Sequence, residues 1–180
     1  MTTQRNDPSS YVLSPPRRRV LQGAAAAVGG LALASLTGCG TRDEAPASNF
    51  LLLDGRRVAA SELRGKVTLV NFWATTCVSC VKEMPDLVAT YQKFAARGYE
   101  TIAVAMSYDP PQWVQNFAQT RQLPFKVALD STGEIAQAWG DVKLTPTTYV
   151  VDKEWRIVKR YVGEPEFAAL HELIEKLLAA

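Results

Sequence analysis

Apolar residues recur along residues 49–180 with two different periods. Short runs of apolar and β-branched residues have the length of buried strands, and the segments between them carry apolar residues at the spacing of amphipathic helices. The predicted strands span residues 66–73, 101–106, 125–129, 147–151 and 156–162, and the predicted helices span residues 77–97, 110–123, 133–139 and 167–178. This order of strands and helices predicts an α/β domain with a mixed central sheet.

A small hairpin is predicted in front of the first long strand. Asp54-Gly55 stands between the apolar residues 51–53 and Val58, and an Asp-Gly pair favours the tight turn of a hairpin. Residues 61–65 are expected to form a single helical turn. Gly98 follows the longest predicted helix, where a glycine is typical of a helix C-terminus.

The first 38 residues have the pattern of an export signal. Three arginines at residues 17–19 are followed by an Ala-, Gly- and Leu-rich run over residues 20–36, which is a poor match to a membrane-spanning helix. The arginines also resemble a twin-arginine export signal, and the alternative is the basic segment of a general secretion signal.

Residues 36–39 (Leu-Thr-Gly-Cys) resemble a bacterial lipobox, in which the cysteine is lipidated and becomes the mature N-terminus. We therefore expect Cys39 to carry the lipid, and the alternative is an ordinary signal peptide with an incidental cysteine. Gly40 follows in place of an aspartate retention signal, which favours the outer membrane. The expected organisation is a signal peptide over residues 1–38, a polar lipidated tether over residues 39–48 and one domain over residues 49–180.

Charge excludes one class of function. Residues 1–38 hold four basic residues and one acidic residue, which leaves 16 basic and 17 acidic residues from Cys39 onward. The nearly neutral domain has no basic stripe of the kind that nucleic-acid binding requires. We therefore expect no nucleic-acid partner.

The candidate chemistry lies in residues 77–80 (Cys-Val-Ser-Cys), where a predicted strand gives way to a helix. At a helix N-terminus, unpaired backbone N–H groups and the helix dipole favour a thiolate, so Cys77 is the candidate nucleophile. Cys80 lies further into the helix and is the candidate resolving thiol. The Val-Ser dipeptide adds no positive charge, which favours a reducing couple over a strong oxidant.

Two structural alternatives exist for this cysteine pair. A zinc site needs two more ligands, but Cys39 is assigned to the lipid and His171 is the sole histidine of the chain. A static disulfide is also compatible with an exported protein. We favour reversible disulfide chemistry, with neither a metal nor a cofactor.

Further candidate site residues flank the cysteines. Glu83 lies three residues after Cys80 and is a candidate proton-exchange group; the alternative is an exposed glutamate favoured by the helix dipole. Thr145 and Pro146 precede a predicted strand, and a cis bond there would hold a backbone edge open for a target chain. Trp73 is the third candidate substrate contact, although its place in a strand also fits a core residue.

Residues 71–85 (NFWATTCVSCVKEMP), followed by residues 145–147 (TPT), resemble the membrane-anchored thioredoxin-like proteins of the TlpA/ResA/CcmG type. The resemblance covers residues 49–180 and implies a thioredoxin-like fold with an N-terminal hairpin and a central helical insertion, here residues 109–123. It departs from many members at Thr76, where they have tryptophan, and at Val78-Ser79, which lacks their proline.

The resemblance also implies roles and partners. Cys77 would be the nucleophile, Cys80 the resolving thiol, Glu83 the acidic residue of the site and Pro146 the cis-proline. Such proteins reduce periplasmic protein disulfides in cytochrome c maturation or copper-site assembly, with electrons from a membrane thiol reductase. The implied activity is thiol–disulfide exchange.

Three other functions share parts of the pattern. A peroxidase of the peroxiredoxin type needs a Pro-x-x-x-Thr-x-x-Cys motif before its attacking cysteine. The proline and threonine positions of this motif are occupied here by Val70 and Ala74. A copper-binding assembly protein needs a histidine beside the two cysteines, for which only His171 is available. The third is a lipid-anchored binding module whose disulfide is inert.

Overall fold

The computed structural model describes residues 43–180. The predicted signal peptide, the twin-arginine element and the lipidation site at Cys39 lie outside the described residues. Within residues 43–180, no helix has both the length and the apolar character needed to cross a membrane.

Residues 43–180 form one seven-stranded sheet in the order β2-β1-β5-β4-β3-β6-β7. The strands are β1 (Asn49–Leu52), β2 (Arg57–Ala59), β3 (Val67–Trp73), β4 (Tyr99–Ala105), β5 (Lys126–Leu129), β6 (Thr147–Val151) and β7 (Ile157–Val162). The helices are α1 (Val78–Phe94), α2 (Pro111–Thr120), α3 (Glu134–Ala138) and α4 (Phe167–Ala179), with 3-10 turns at Ala60–Leu63 and Ala95–Arg97. Strands β3, β4 and β5 are parallel and their other neighbours are antiparallel, so the predicted mixed sheet is confirmed.

The two central strands, β3 and β4, are buried along their whole length, because both faces of the sheet are covered. Side chains alternate between the faces: Phe72 belongs to a core with Trp139 and Trp155, and Trp73 belongs to a second core with residues of α1 and α4. The continuous apolar runs in the sequence reflect this double coverage.

Helix α1 begins and ends where its sequence predicts. Cys77 is the N-cap residue, and the helix passes through a final 3-10 turn to Gly98, which has a φ of 91°. That left-handed conformation is readily available only to glycine, which explains this residue at the C-terminus of the helix.

Residues 43–48 do not form part of a free tether, as the sequence predicted, because they pack against the domain. Asp43 and Ala45 exchange backbone hydrogen bonds with the start of β7, the Ala45 N–H donating to the Trp155 carbonyl at 2.9 Å. The indole Nε1–H of Trp139 donates to the buried Ser48 hydroxyl at 2.9 Å. The folded domain therefore begins at or before residue 43. The sequence did not reveal this packing, because small side chains and backbone hydrogen bonds hold residues 43–48 in place and leave no periodic pattern of apolar residues.

Candidate active site

The two cysteines of residues 77–80 lie at the junction of β3 and α1 and are joined as a disulfide, with their Cα atoms 5.2 Å apart. Sγ of Cys77 accepts the backbone N–H of Cys80 at 3.2 Å, and the Ser79 hydroxyl lies 3.5 Å from the same sulfur. An N–H group of the first helical turn thus points at the sulfur of Cys77. The same arrangement favours negative charge on that sulfur once the disulfide is open.

The two sulfurs differ in access. Cys80 is fully buried against the α1 face of β3, whereas Cys77 is partly exposed. Val78, between them, is 85% exposed, so the surface beside Cys77 is open to solvent. A target chain can therefore reach Cys77 but not Cys80, as the nucleophile and resolving roles require.

The loop that leads into Cys77 is fixed by Asp109. Its carboxylate accepts the Thr75 backbone N–H and the Thr75 hydroxyl, each at 2.6 Å. Trp73 and Ala105 are register partners at the ends of the parallel strands β3 and β4, so the loops that follow both strands lie side by side. Asp109 is buried and was not identified in the sequence; its position directly before Pro110-Pro111 was the available signal.

Glu83 lies on the buried face of α1, one helical turn after Cys80 and on the same side of the helix. Its side chain is fully buried, so the alternative of an exposed helix-surface glutamate is wrong. Oε1 accepts Nδ2–H of Asn71 at 3.0 Å, while Oε2 has no hydrogen-bond partner among residues 43–180. The carboxyl group is therefore held by one neutral donor and by no cation.

Burial raises the pKa of Glu83 from 4.5 to about 7, and the hydrogen bond from Asn71 opposes part of that rise. A carboxyl group with this pKa exchanges its proton readily near neutral pH. It lies one helical turn from the buried Cys80.

Asn71 and Thr148 complete the buried polar group around Glu83, and sequence reasoning assigned neither a role. Nδ2 of Asn71 also donates to the Thr148 hydroxyl at 2.9 Å, so its two hydrogens bind Glu83 and Thr148 and fix the amide's orientation. Both residues are fully buried and face each other across β3 and β6. The available signal was a polar residue within each apolar strand.

The Thr145–Pro146 peptide bond is cis, as predicted. Strand β6 begins at Thr147, which pairs with Phe72 near the end of β3, so Pro146 lies beside the loop that carries Cys77. The Thr145 hydroxyl is 3.4 Å from the hydroxyl of the exposed Tyr108. Thr145 and Pro146 therefore border the same end of the sheet as the disulfide.

The prediction that Trp73 contacts substrate is wrong, because this side chain has no exposed surface. Its ring packs against Phe117 with 5.1 Å between centroids, so it supports the site from inside the core. His171 is also remote from the cysteines: it lies between α4 and α1 with its Nε2 2.8 Å from the Thr90 hydroxyl. Among the described residues, no group of three metal-binding side chains converges on one point.

Comparison with known proteins places this site in a family. The family model described as Redoxin matches residues 41–174. The thiol-disulfide oxidoreductase ResA of Bacillus thuringiensis subsp. konkukian is 35% identical over 136 residues, which cover 74% of this chain and 76% of that protein.

Solved structures agree with the sequence relatives. A thioredoxin family thiol:disulfide interchange protein from Chlorobium tepidum superposes with a TM-score of 0.70 at 26% identity, covering 76% of this chain and 97% of that one. A Neisseria meningitidis protein, whose solution structure is described as a thioredoxin, gives a TM-score of 0.71 at 36% identity, covering 76% and 91%. The fold is therefore thioredoxin-like, and this chain belongs to the Redoxin family as a thiol-disulfide oxidoreductase of the TlpA/ResA/CcmG type.

Proposed function

We propose that this protein is a periplasmic, lipid-anchored reductase of protein disulfides, and that Cys77, Cys80 and Glu83 perform the exchange. The observation that carries the proposal is the asymmetric disulfide: one sulfur is accessible at a helix N-terminus, and the other is buried one turn from a protonatable carboxyl group. The anchor would be the lipid on Cys39.

The reaction starts from the reduced protein. The Cys77 thiolate attacks one sulfur of the target disulfide, forms a mixed disulfide and releases the other target sulfur as a thiolate. The Glu83 carboxylate accepts the proton of the Cys80 thiol, and the resulting thiolate attacks Sγ of Cys77. The second target sulfur leaves as a thiolate and takes up a proton, so two electrons pass to the target and the Cys77–Cys80 disulfide remains.

The target chain would lie beside Thr145 and Pro146, where the start of β6 borders the disulfide. A membrane thiol reductase would return two electrons to the oxidised pair, and the proton held by Glu83 would pass back to Cys80, which restores the Cys77 thiolate and the Cys80 thiol. The family resemblance supports apocytochrome c or a copper-site assembly protein as the target.

Trapping of mixed disulfides tests this mechanism. In Cys80→Ser the attack by Cys77 is intact and the resolving step is lost, so covalent complexes with target proteins should accumulate in periplasmic extract. Cys77→Ser is the matched control and should trap none. Trapped proteins with a Cys-x-x-Cys-His segment would identify cytochrome targets, whereas complexes that form equally well with Cys77→Ser would disprove the assigned nucleophile.

The reduction potential tests the direction of exchange. Equilibration with dithiothreitol or glutathione buffers should give a value near or below that of thioredoxin, about −270 mV. A value near about −120 mV would make the protein an oxidant and would refute the reductase assignment.

A further inference from the structure

Two adjoining cavities form a groove that starts beside the disulfide and follows α2. The first, of about 440 Å³, is lined by Thr75 and Thr76, directly before Cys77, and by the side of α2. The second, of about 250 Å³, lies between α1 and α2. Phe117 and Arg121 line both cavities, so the two adjoin each other at these side chains.

Most of the surface that lines this groove, which we call the α2 groove, is apolar. Val81, Met84 and Leu123 line its far half, and Phe117 lines its centre. The Phe117 ring packs on the buried Trp73, which fixes the floor to the core below the site. Trp113 lines the near half and is 54% exposed, a large aromatic surface left in contact with water. Such an exposed aromatic residue beside a reactive centre is typical of a surface that binds another chain.

Arg121 is the only charged residue that lines the α2 groove in the described part of the chain. Its guanidinium lies over the Phe117 ring, 5.6 Å from the centroid. Within residues 43–180, no carboxylate lies within ion-pair distance of it. An arginine stacked on an aromatic ring is positioned to bind a carboxylate through paired N–H groups.

We propose that the α2 groove binds the segment of the target protein that flanks its reactive cysteine, and that it selects an apolar side chain followed by an acidic one. The apolar side chain would contact Trp113 and Phe117, and the carboxylate would pair with Arg121. The groove starts at Thr75 and Thr76, directly before Cys77, so a chain attacked by Cys77 lies close to its near end.

The dimensions fit such a segment. Arg121, the C-cap residue of α2, follows Trp113 by eight positions, a rise of about 12 Å at helical spacing, which about four residues of extended chain span. The inference rests on the proposed attack by Cys77, but it does not depend on which pathway supplies the target.

Synthetic peptides test the proposal. Each peptide carries one cysteine as a mixed disulfide with 2-mercaptoethanol and an aromatic residue next to that cysteine. A variable residue, Asp, Asn or Lys, stands three or four positions from the aromatic residue, toward the N-terminus in one set of peptides and toward the C-terminus in the other. Reduced full-length protein is mixed with each peptide, and the release of peptide thiol gives the second-order rate constant. Every constant is divided by that of the same protein with 2-hydroxyethyl disulfide, a small neutral substrate that cannot fill the groove.

For the wild type, the acidic peptide should react about fivefold to tenfold faster than the lysine peptide at low salt. This ratio is the combined effect of an exposed ion pair with the acidic peptide and an exposed like-charge repulsion with the lysine peptide. Arg121→Gln should abolish this preference and Arg121→Glu should reverse it. Arg57→Glu, the same charge change on β2 and outside the groove, should retain the wild-type preference. Trp113→Ala should lower the normalised rate with all aromatic peptides about tenfold.

A preference that persists in Arg121→Gln, or one that is absent from the wild type, would overturn the proposal. Equal rates for Trp113→Ala and wild type after normalisation would also overturn it. Failure of the wild type to reduce 2-hydroxyethyl disulfide would instead disprove the proposed redox function, so the two failures are distinguishable.

Discussion

Replacement of Glu83 by glutamine is expected to stabilise the oxidised protein progressively as the pH rises. The unfolded chain releases the Glu83 proton near pH 4.5, whereas the folded protein holds it to about pH 7. Between these values the unfolded state binds fewer protons than the folded state, so the wild type loses stability as the pH increases. Glutamine cannot ionise and does not incur this loss.

The magnitude follows from the two pKa values. At about 1.4 kcal/mol per pKa unit, the interval between 4.5 and about 7 corresponds to about 3 kcal/mol at pH values above the folded pKa. Glutamine has the shape of the protonated acid, and its Oε1 can accept the hydrogen bond from Asn71. Its NH₂ group would replace Oε2, which has no partner, so any cost of that change is the same at every pH. The pH-dependent part of the difference therefore isolates the ionisation.

Urea unfolding of the oxidised protein, followed by tryptophan fluorescence from about pH 4 to about pH 8, measures this effect. Other carboxyl groups titrate in both proteins and cancel in the difference. The variant should gain about 3 kcal/mol relative to the wild type across this range. Glu172→Gln, the same change at an exposed position of α4, is the matched control for the loss of one carboxyl group. A pH-dependent gain in Glu83→Gln no larger than that in Glu172→Gln would refute the reasoning that burial raises the pKa of the Glu83 carboxyl group.

Three further predictions concern the surroundings of the disulfide. Asn71→Ala removes the hydrogen bond that lowers the pKa of Glu83, so the pH midpoint of the exchange rate should move upward; an unchanged pH–rate profile would exclude this positioning role. Asp109→Asn weakens the two hydrogen bonds that hold Thr75, so it should lower the free energy of unfolding by about 1–3 kcal/mol in urea and slow thiol–disulfide exchange. Wild-type values for both quantities would show that other contacts hold the loop. Ala45→Asp places a charge at a buried position and should lower the free energy of unfolding by about 2 kcal/mol or more in the same assay. A change below about 0.5 kcal/mol would instead support the prediction that this segment is a tether outside the folded domain.

The fold was predictable from the sequence because its central strands are covered on both faces. A run such as residues 67–73 is then apolar or β-branched at nearly every position, and the helices between such runs carry an apolar stripe, so both kinds of element leave a clear pattern. The cysteine pair was equally clear, since its spacing at a strand–helix junction has a direct chemical meaning. Residues 43–48 left no such pattern, because backbone hydrogen bonds and small side chains hold them in place.

The buried polar residues were harder to predict, because their partners come from distant parts of the chain. Glu83 shares a helix face with Cys80 and Leu87, so its burial could have been inferred from helical spacing. Its hydrogen-bond partner could not, since Asn71 lies on a different element and Thr148 lies on a strand much further along the chain. Trp73 shows the converse error: a residue close to the cysteines in sequence is separated from solvent by the fold.

The raised pKa of Glu83 links the cost of this site to its chemistry. The free energy of unfolding of a domain of this size is about 5–15 kcal/mol, so a penalty of about 3 kcal/mol is a substantial part of it. An apolar or amide side chain of similar volume would avoid this penalty. Packing alone therefore does not explain a carboxyl group with one bare oxygen at this position. The proposed proton transfer does, because in that mechanism the Glu83 carboxylate accepts the proton of the buried Cys80, and a carboxylate with an ordinary pKa would be a much weaker base. On this proposal the site gives up stability as the pH rises from about 4.5 to about 7, and it gains a proton acceptor close to Cys80.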